Sequence, residues 1–395
     1  MKICIGVRAL PIHNNGGMEK HTYLAAKGLA EKGHDVYLIT TAHPDGIDSE
    51  IKDNIKLFYL QNTISGKYSI LFWSMLNKKI NELDRQFNFD IIHFQGFAGF
   101  TFGFGNNKSF ITTVHGTMFS ETLLYYPLLK KYNFSKYISL LFRYKTRFVL
   151  YPFYKFILHK AKRIVVDSNF TKRELEESNP QLSAKISVVQ LGTEFSDFPV
   201  SSKKEAREKL GFNANDFILF TVGRIDDTKG IDTALEAIKL LNDKGILVKY
   251  IVGGRGPKQT EYERYCKDNN LSNVIFKGFI KEEELNDYYS AADIFLFPDI
   301  TAPAFGLVAI ESMHCGTPVL GSKRGAIPEV VSEEVGWTFE ACNSIDLADK
   351  INYLYNNKNE IIEKSKICKD YVENNFSKEN MINNLISVYE KFKKN

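Results

Sequence analysis

Residues Phe295–Glu329 read FLFPDITAPAFGLVAIESMHCGTPVLGSKRGAIPE. The short apolar run from Ile294 to Phe297 reads as a buried parallel strand. A proline-containing loop follows, and Phe305-Gly306-Leu307-Val308 then leads into an apolar set of helical period, Leu307, Ile310 and Met313. A strand-to-helix turn of this kind directs unpaired backbone N–H groups and a positive dipole end at one point, which suits an anion and above all a phosphate. Glu311 falls one helical turn further in, with no Lys or Arg near it in sequence. A carboxylate buried there can accept hydrogen bonds from paired hydroxyls such as those of a ribose. A nucleotide-phosphate cradle and a plain helix N-terminus with a buried glutamate both fit this stretch alone.

Outward from it, the same alternation of apolar run and helical pattern recurs along the chain. Candidate strands lie at Ile3 to Val7, Val36 to Thr40, Ile55 to Leu60, Ile91 to Phe94, Phe110 to Val114, Ile164 to Val166 and Ile186 to Val189. Helical patterns fall between them, as at Met18 to Glu31 and Ile70 to Phe87. The alternation stops after Leu191-Gly192, and the polar, proline-containing Phe195 to Lys204 reads as a linker. It restarts at Phe217 to Val222 and continues through Val248 to Val252, Val274 to Phe276, Ile294 to Phe297 and Val319 to Leu320. Two doubly wound α/β domains are expected, with ligands at the carboxyl ends of the strands and so in the cleft between domains. A length of 395 residues agrees with two domains.

Composition narrows the class. Hydrophobic residues make up 44% and charged residues 25%, ordinary for a water-soluble globular chain, and a net charge of +4 does not argue for nucleic acid. The five cysteines, Cys4, Cys266, Cys315, Cys342 and Cys368, show neither CxxC spacing nor a Cys/His ligand pattern, as a reducing cytosol permits. The start MKICIGVRALP reads as a first strand and not a signal peptide, and no apolar run approaches the roughly 18 residues of a membrane span. A cytoplasmic protein is expected. One segment complicates that. From Leu123 to Arg163, aromatic residues mix with ten cations and no acid. We favour an anionic membrane surface or a lipid-linked acceptor as its partner over a solvated basic helix face, which would place the protein peripherally on the inner face of a membrane.

Several strand ends carry residues suited to phosphate or sugar. Gly16 and Gly17, at the end of the first strand, let a ligand approach the backbone, although a Gly-Gly after a strand is usually only a turn. His115 ends an apolar strand where a cleft residue would sit, but a lone histidine there is more often a structural hydrogen-bonder. In Gly223-Arg224-Ile225-Asp226-Asp227-Thr228-Lys229-Gly230, Arg224 ends a strand and Lys229 opens a helix, so a bidentate guanidinium and a mobile ammonium can converge on one diphosphate. Asp226 and Asp227 could instead neutralise both. Gly253-Gly254-Arg255-Gly256-Pro257 ends the next strand as a turn that permits close approach of a ligand, although a plain turn explains it equally well. Gly278-Phe279-Ile280 closes the following one with backbone groups and an aromatic face for a nucleobase. Walker A, HExxH and GxSxG are absent, and the glycine turns do not form the dinucleotide fingerprint. No Asp-x-Asp of the metal-diphosphate kind occurs. No metal and no resident cofactor are expected, so Arg224, Lys229 and a helix dipole would do a metal's electrostatic work.

Taken in order, Gly16-Gly17, His115, VVQLGTEFSDF, GRIDDTKG, VGGRGP, FKGF, YYSAAD, FGLVAIESMHCGTPV and IPEVV resemble the retaining glycosyltransferases of GT-B fold, family 4 type, over nearly the whole chain. The resemblance implies two Rossmann-like domains facing across a cleft. Residues 1–195 would form an acceptor domain, with a C-terminal helix at 377–395 packing back on it, and 196–376 a nucleotide-sugar donor domain. It implies that Arg224, Lys229 and the amides of Gly306, Leu307 and Val308 bind the donor diphosphate, and that Glu311 holds the ribose. Gly16 or Gly17 would approach the phosphate, and His115 would lie near the transferred sugar. The donor would be a UDP-, GDP- or ADP-sugar and the acceptor a saccharide or lipid-linked saccharide. The activity would be that of a metal-independent, hexosyltransferase-like EC 2.4 enzyme of polysaccharide or glycolipid synthesis. One departure stands out: the family's Glu-x7-Glu pattern needs a glutamate eight residues before Glu311, and that position is Pro303. Asp299 or a water would then serve the sugar hydroxyls, or the donor sugar would be an unusual one. A sugar-nucleotide epimerase or hydrolase, or a catalytically weak sugar-nucleotide-binding partner, are the alternatives.

Overall fold

Strands rich in Ile, Val, Leu and Phe and buried on both faces need helices on each side, and the chain supplies them in alternation. The computed structural model describes residues 1–14, 16–106, 108–117 and 151–394. It divides into two compact units, Met1–Thr193 with Lys378–Asn395, and Glu194–Ser377.

In the first unit the described strands are β1 (Lys2–Gly6), β2 (Asp35–Thr41), β3 (Ser49–Lys52), β4 (Ile55–Leu60), β5 (Ile91–Gln95), β6 (Ile111–Val114), β7 (Arg163–Val166) and β8 (Ile186–Val188). They form one sheet in the order β3-β4-β2-β1-β5-β6-β7-β8. All pairs are parallel except β3 with β4. The order reverses direction between β1 and β5, a topological switch point where the loops leaving neighbouring strands diverge. One face is covered by the helix Gly17–Glu31 together with the C-terminal helix Lys378–Lys394. Met381, Ile382, Leu385, Val388, Tyr389 and Phe392 of the latter enter the same core as Ile3, Ile5, Leu29 and Val36. Of the basic stretch expected at a membrane, residues 123–150 lie outside the described residues. Residues 151–160 are helical and bury Tyr154, Ile157 and Leu158 in the core on the other face.

The second unit holds β9 (Ile218–Val222), β10 (Lys249–Gly253), β11 (Val274–Gly278), β12 (Ile294–Phe297), β13 (Val319–Ser322) and β14 (Gly336–Phe339). Their order is β11-β10-β9-β12-β13-β14, parallel throughout, with the switch point between β9 and β12. Ile294 and Phe295 pair with Leu219 and Phe220, so the loops leaving β9 and β12 start side by side. Both units are therefore doubly wound α/β, as the alternation of the sequence leads one to expect.

Two strands escape the sequence pattern. Strand β3 is Ser-Glu-Ile-Lys, a polar antiparallel edge, and β14 is Gly-Trp-Thr-Phe, too short and too mixed to show a run.

Candidate functional site

The turn read from the sequence as a candidate phosphate cradle lies at the switch point of the second unit. After β12 the chain runs through Pro298–Phe305 to Gly306, which has φ 118 and starts the helix Leu307–His314 without any side-chain cap. The Ala309 amide turns back to the Gly306 carbonyl at 3.0 Å, while the amides before it, at 306–308, precede the intrahelical ladder and carry the positive end of the helix dipole. Glu311, half-buried and one turn in, accepts a hydrogen bond from the buried Tyr289 hydroxyl at 2.9 Å. Burial, first, and the facing Glu311 carboxylate hold that tyrosine well above its ordinary pKa, so its hydroxyl remains a donor.

The loop leaving β9 brings the two cations alongside. Arg224 donates from Nε to Asp226 Oδ2 at 2.5 Å; its side chain is 73% exposed whereas that of Asp226 is 8% exposed. Asp226 also accepts from the Thr228 amide and hydroxyl. Burial raises the pKa of Asp226, but the Thr228 hydrogen bonds and the Arg224 guanidinium outweigh it and hold the pKa below the ordinary carboxylate value. Lys229 pairs with neither neighbouring aspartate; its ammonium reaches Asp299 Oδ2 at 2.6 Å. Asp227 faces Lys258 at 3.0 Å. The two cations thus have separate carboxylate partners, not one shared neutralising cluster.

The β9 and β12 loops are joined by backbone. The Ile300 amide donates to the Thr228 carbonyl at 3.0 Å. Gly230, at φ 62, lies so close to Pro298 that any Cβ would overlap the Pro298 carbonyl. A Gly230→Ala substitution should therefore cost about 1–3 kcal/mol of stability through strain and clash, and lower donor affinity because Lys229 is its neighbour. Thermal melts and donor binding measured on one preparation check both effects.

The remaining residues read from sequence take more varied positions. A Cβ at Gly254 would overlap the Gly223 carbonyl, and one at Gly253 would meet Ile280 and Val222. This glycine turn is thus fitted against the Arg224 loop by the protein's own packing. Ile280 is buried in that contact, while Phe279 is 64% exposed at the end of β11. Asp299 does not face outward to serve sugar hydroxyls, contrary to the expectation from sequence. It is fully buried, with Oδ1 taken by the Thr301 amide and hydroxyl at 3.1 and 2.6 Å and Oδ2 by Lys229. Pro303 packs under the next loop, its carbonyl accepting from the Ala326 amide at 2.9 Å.

In the first unit, a polar ladder lies across the carboxyl ends of β5, β6 and β7. His115 makes 2.8 Å contacts from Nδ1 to Asp167 Oδ2 and from Nε2 to Gln95 Oε1. Two acceptors on one imidazole favour the doubly protonated ring. Burial opposes that, yet the charge and hydrogen bond of Asp167, with a contribution from Glu19, leave the His115 pKa raised. His93 behind it, bonded to Thr113 and to the Tyr389 hydroxyl, is driven by burial down to about 3, and His21 to about 4. Gly16 stands at the N-cap of Gly17–Glu31 with the Glu19 carboxylate folded against it, and Arg8 grips Glu19 at 2.8 Å. Asn15 lies outside the described residues.

A pH dependence follows. A raised histidine pKa stabilises the fold below the ordinary value near 6.5, and that contribution is lost as pH rises through the folded-state value. Replacing Asp167 by Asn leaves burial to dominate, so the His115 resonance should titrate above 6.5 in the native protein and below it in Asp167→Asn. NMR of the imidazole protons reads this directly, and an unmoved midpoint would refute the charged pair.

Gln95 and Asp167 carry no motif; the one signal in the sequence is a polar residue standing immediately at or after a buried strand, as in IIHFQ and IVVD. Among the described residues, no group of three or more His, Cys, Asp or Glu is arranged to hold a metal ion.

Comparison with known proteins identifies the family and the fold. Residues 202–378 match the family model described as glycosyl transferases group 1, and residues 15–196 that described as glycosyltransferase family 4. The phosphatidylinositol N-acetylglucosaminyltransferase GPI3 subunit of Saccharomyces cerevisiae is 24% identical over 362 residues, 86% of this chain and 72% of that protein. Among solved structures, sucrose-phosphate synthase from Thermosynechococcus elongatus superposes with a TM-score of 0.81 at 22% identity, over 99% of each chain. Anabaena HepE in complex with UDP and glucose gives 0.74 at 17% identity, again over 99% of each chain.

Proposed function

The chain belongs to the GT-B glycosyltransferases of family 4 type, and from that premise we propose that it moves a sugar from a nucleoside-diphosphate sugar to a saccharide or lipid-linked acceptor, with retention of anomeric configuration and without a metal. The observation that carries this reading is the convergence at one switch point of two outward-facing cations and an uncapped helix N-terminus, with Glu311 one turn behind. The chemistry needs little more at the donor end. As the glycosidic bond breaks, negative charge grows on the departing diphosphate, and preorganised donors aimed at that charge are the strongest help an enzyme of this kind can give. Arg224 offers a fork, Lys229 a point charge and residues 306–308 their amides. Glu311 takes the ribose hydroxyls, and the exposed ring of Phe279 is available to a base.

UDP, GDP and ADP, titrated separately, and then the corresponding sugars with saccharide acceptors, test the proposal. Binding of at least one diphosphate and transfer to an acceptor are expected, with the product anomer, read by NMR coupling, matching that of the donor. Absence of binding by all three would overturn it. A binding-only protein is the second reading, favoured by one observation: the single carboxylate between β12 and Gly306 is Asp299, already engaged. Tight diphosphate binding without turnover on any acceptor would select it.

For the basic stretch 123–163 we propose an anionic membrane or lipid-linked acceptor as partner. Co-sedimentation with phosphatidylglycerol vesicles should be strong at low salt and lost at high salt. Equal pelleting without vesicles, or none at low salt, refutes it. Among the described residues, no helix is long and apolar enough to cross a membrane.

A further inference from the structure

We infer that Asp299 is a positioning residue for Lys229, fixing the ammonium at the carboxyl edge of the second sheet before a diphosphate arrives; the inference rests on the nucleotide-sugar reading above. The sequence sets Asp299 two residues beyond β12, and the backbone there has no freedom to swing. Pro298 is pressed against Gly230, and Ile300 is hydrogen-bonded to Thr228. Within that frame Asp299 is fully buried, and Thr301 occupies Oδ1 through both its amide and its hydroxyl. Oδ2 is thereby aimed at the Lys229 ammonium, 2.6 Å away, whose side chain is 36% exposed.

A lysine ammonium has three protons to donate, and this pairing uses one. The other two remain for an anion arriving from the exposed side. Arg224 repeats the construction with Asp226: a buried acid behind, a cation facing out. The long side chain of a free lysine loses rotamer freedom when it grips a ligand, and one already held has less to lose. Against this, the carboxylate subtracts some of the ammonium's attraction for a diphosphate. Burial at one side of the pair, with the cation alone reaching solvent, favours ordering over neutralisation.

The test is a double-mutant cycle on the intact chain, with calorimetric titration of whichever of UDP, GDP and ADP binds tightest. Asp299→Asn, which preserves shape, should weaken binding about tenfold, the scale of one immobilised long side chain. In a Lys229→Met background the same change should weaken it no further, since an effect exerted only through Lys229 vanishes with Lys229. Thr301→Val, which loosens the acid without removing it, should give a smaller loss that also disappears in Lys229→Met. This second variant keeps the test informative if Asp299→Asn folds poorly. Losses that add in the double mutants would make Asp299 a purely structural group and overturn the inference, as would tighter binding in Asp299→Asn, which would make it a competitor of the diphosphate. If the native protein binds none of the three diphosphates, the nucleotide-sugar reading fails instead. Binding lost in Lys229→Met but unchanged in Asp299→Asn sinks the positioning role alone.

Discussion

Truncation of Arg224 to alanine is expected to lower kcat/KM by about two orders of magnitude or more while the protein stays folded. The side chain is 73% exposed, so its removal opens no cavity, and surface changes of this kind usually shift stability by less than about 0.5 kcal/mol. Asp226 loses one partner but keeps the two hydrogen bonds from Thr228. On the proposed reading, what disappears is a bidentate donor to the charge that grows on the leaving diphosphate, and loss of one such donor typically costs about 3 kcal/mol at the transition state. Arg224→Lys should recover only part of the loss, because a point charge replaces a fork. Steady-state kinetics at saturating acceptor, beside a thermal melt of the same sample, decide it. Near-normal turnover in the alanine variant would remove the diphosphate role from this loop.

The placement of the candidate diphosphate residues around one switch point is legible in the sequence. Arg224 and Lys229 lie in the loop that leaves β9, Gly306 and Glu311 at the start of and one turn into the helix that follows β12, and the strands are apolar runs that announce themselves. The logic is local: a strand, a turn and a helix bring polar groups to one edge whatever the rest of the chain does. Sheet order is not local. Nothing in GRIDDTKG tells that Lys229 will face Asp299, 70 positions on; that follows from β9 and β12 being neighbours at the switch point. For the same reason Asp299 looks in one dimension like a substitute for the carboxylate missing at Pro303, although its burial and its two bonds to Thr301 turn it inward. The polar ladder of the first unit is hidden similarly. Gln95, His115 and Asp167 come from the ends of three strands, and only their adjacency raises the histidine pKa. Glycines carry a third kind of non-local information. Gly253 and Gly254 read as a turn in one dimension, and only the folded chain shows that a Cβ there would run into Ile280 and the Gly223 carbonyl.

Deleting the C-terminal helix, residues 378–395, should abolish folding of the first unit although the deleted segment contains none of the candidate site residues. Its six inward residues, Met381, Ile382, Leu385, Val388, Tyr389 and Phe392, are all at least nine-tenths buried against strands and helix from the opening of the chain. Truncating one large buried side chain costs about 2–5 kcal/mol, and a domain's whole stability is about 5–15 kcal/mol, so loss of all six exceeds what the unit has to spare. The contact is also geometrically specific. Gly28 lets the helix Gly17–Glu31 approach so closely that a Cβ there would meet Ile382. Tyr389, buried, donates or accepts at His93 and so ties the helix to the polar ladder. A milder variant separates packing from chain length: Leu385→Ala should lower stability by about 3 kcal/mol in denaturant titration, with the Trp73 signal of the first unit shifting and that of Trp337 in the second unit unchanged. A deletion protein that stayed soluble and unfolded cooperatively at the native midpoint would show the helix to be an appendage. The buried face it presents argues that the helix Lys378–Lys394 covers the sheet that the first residues begin.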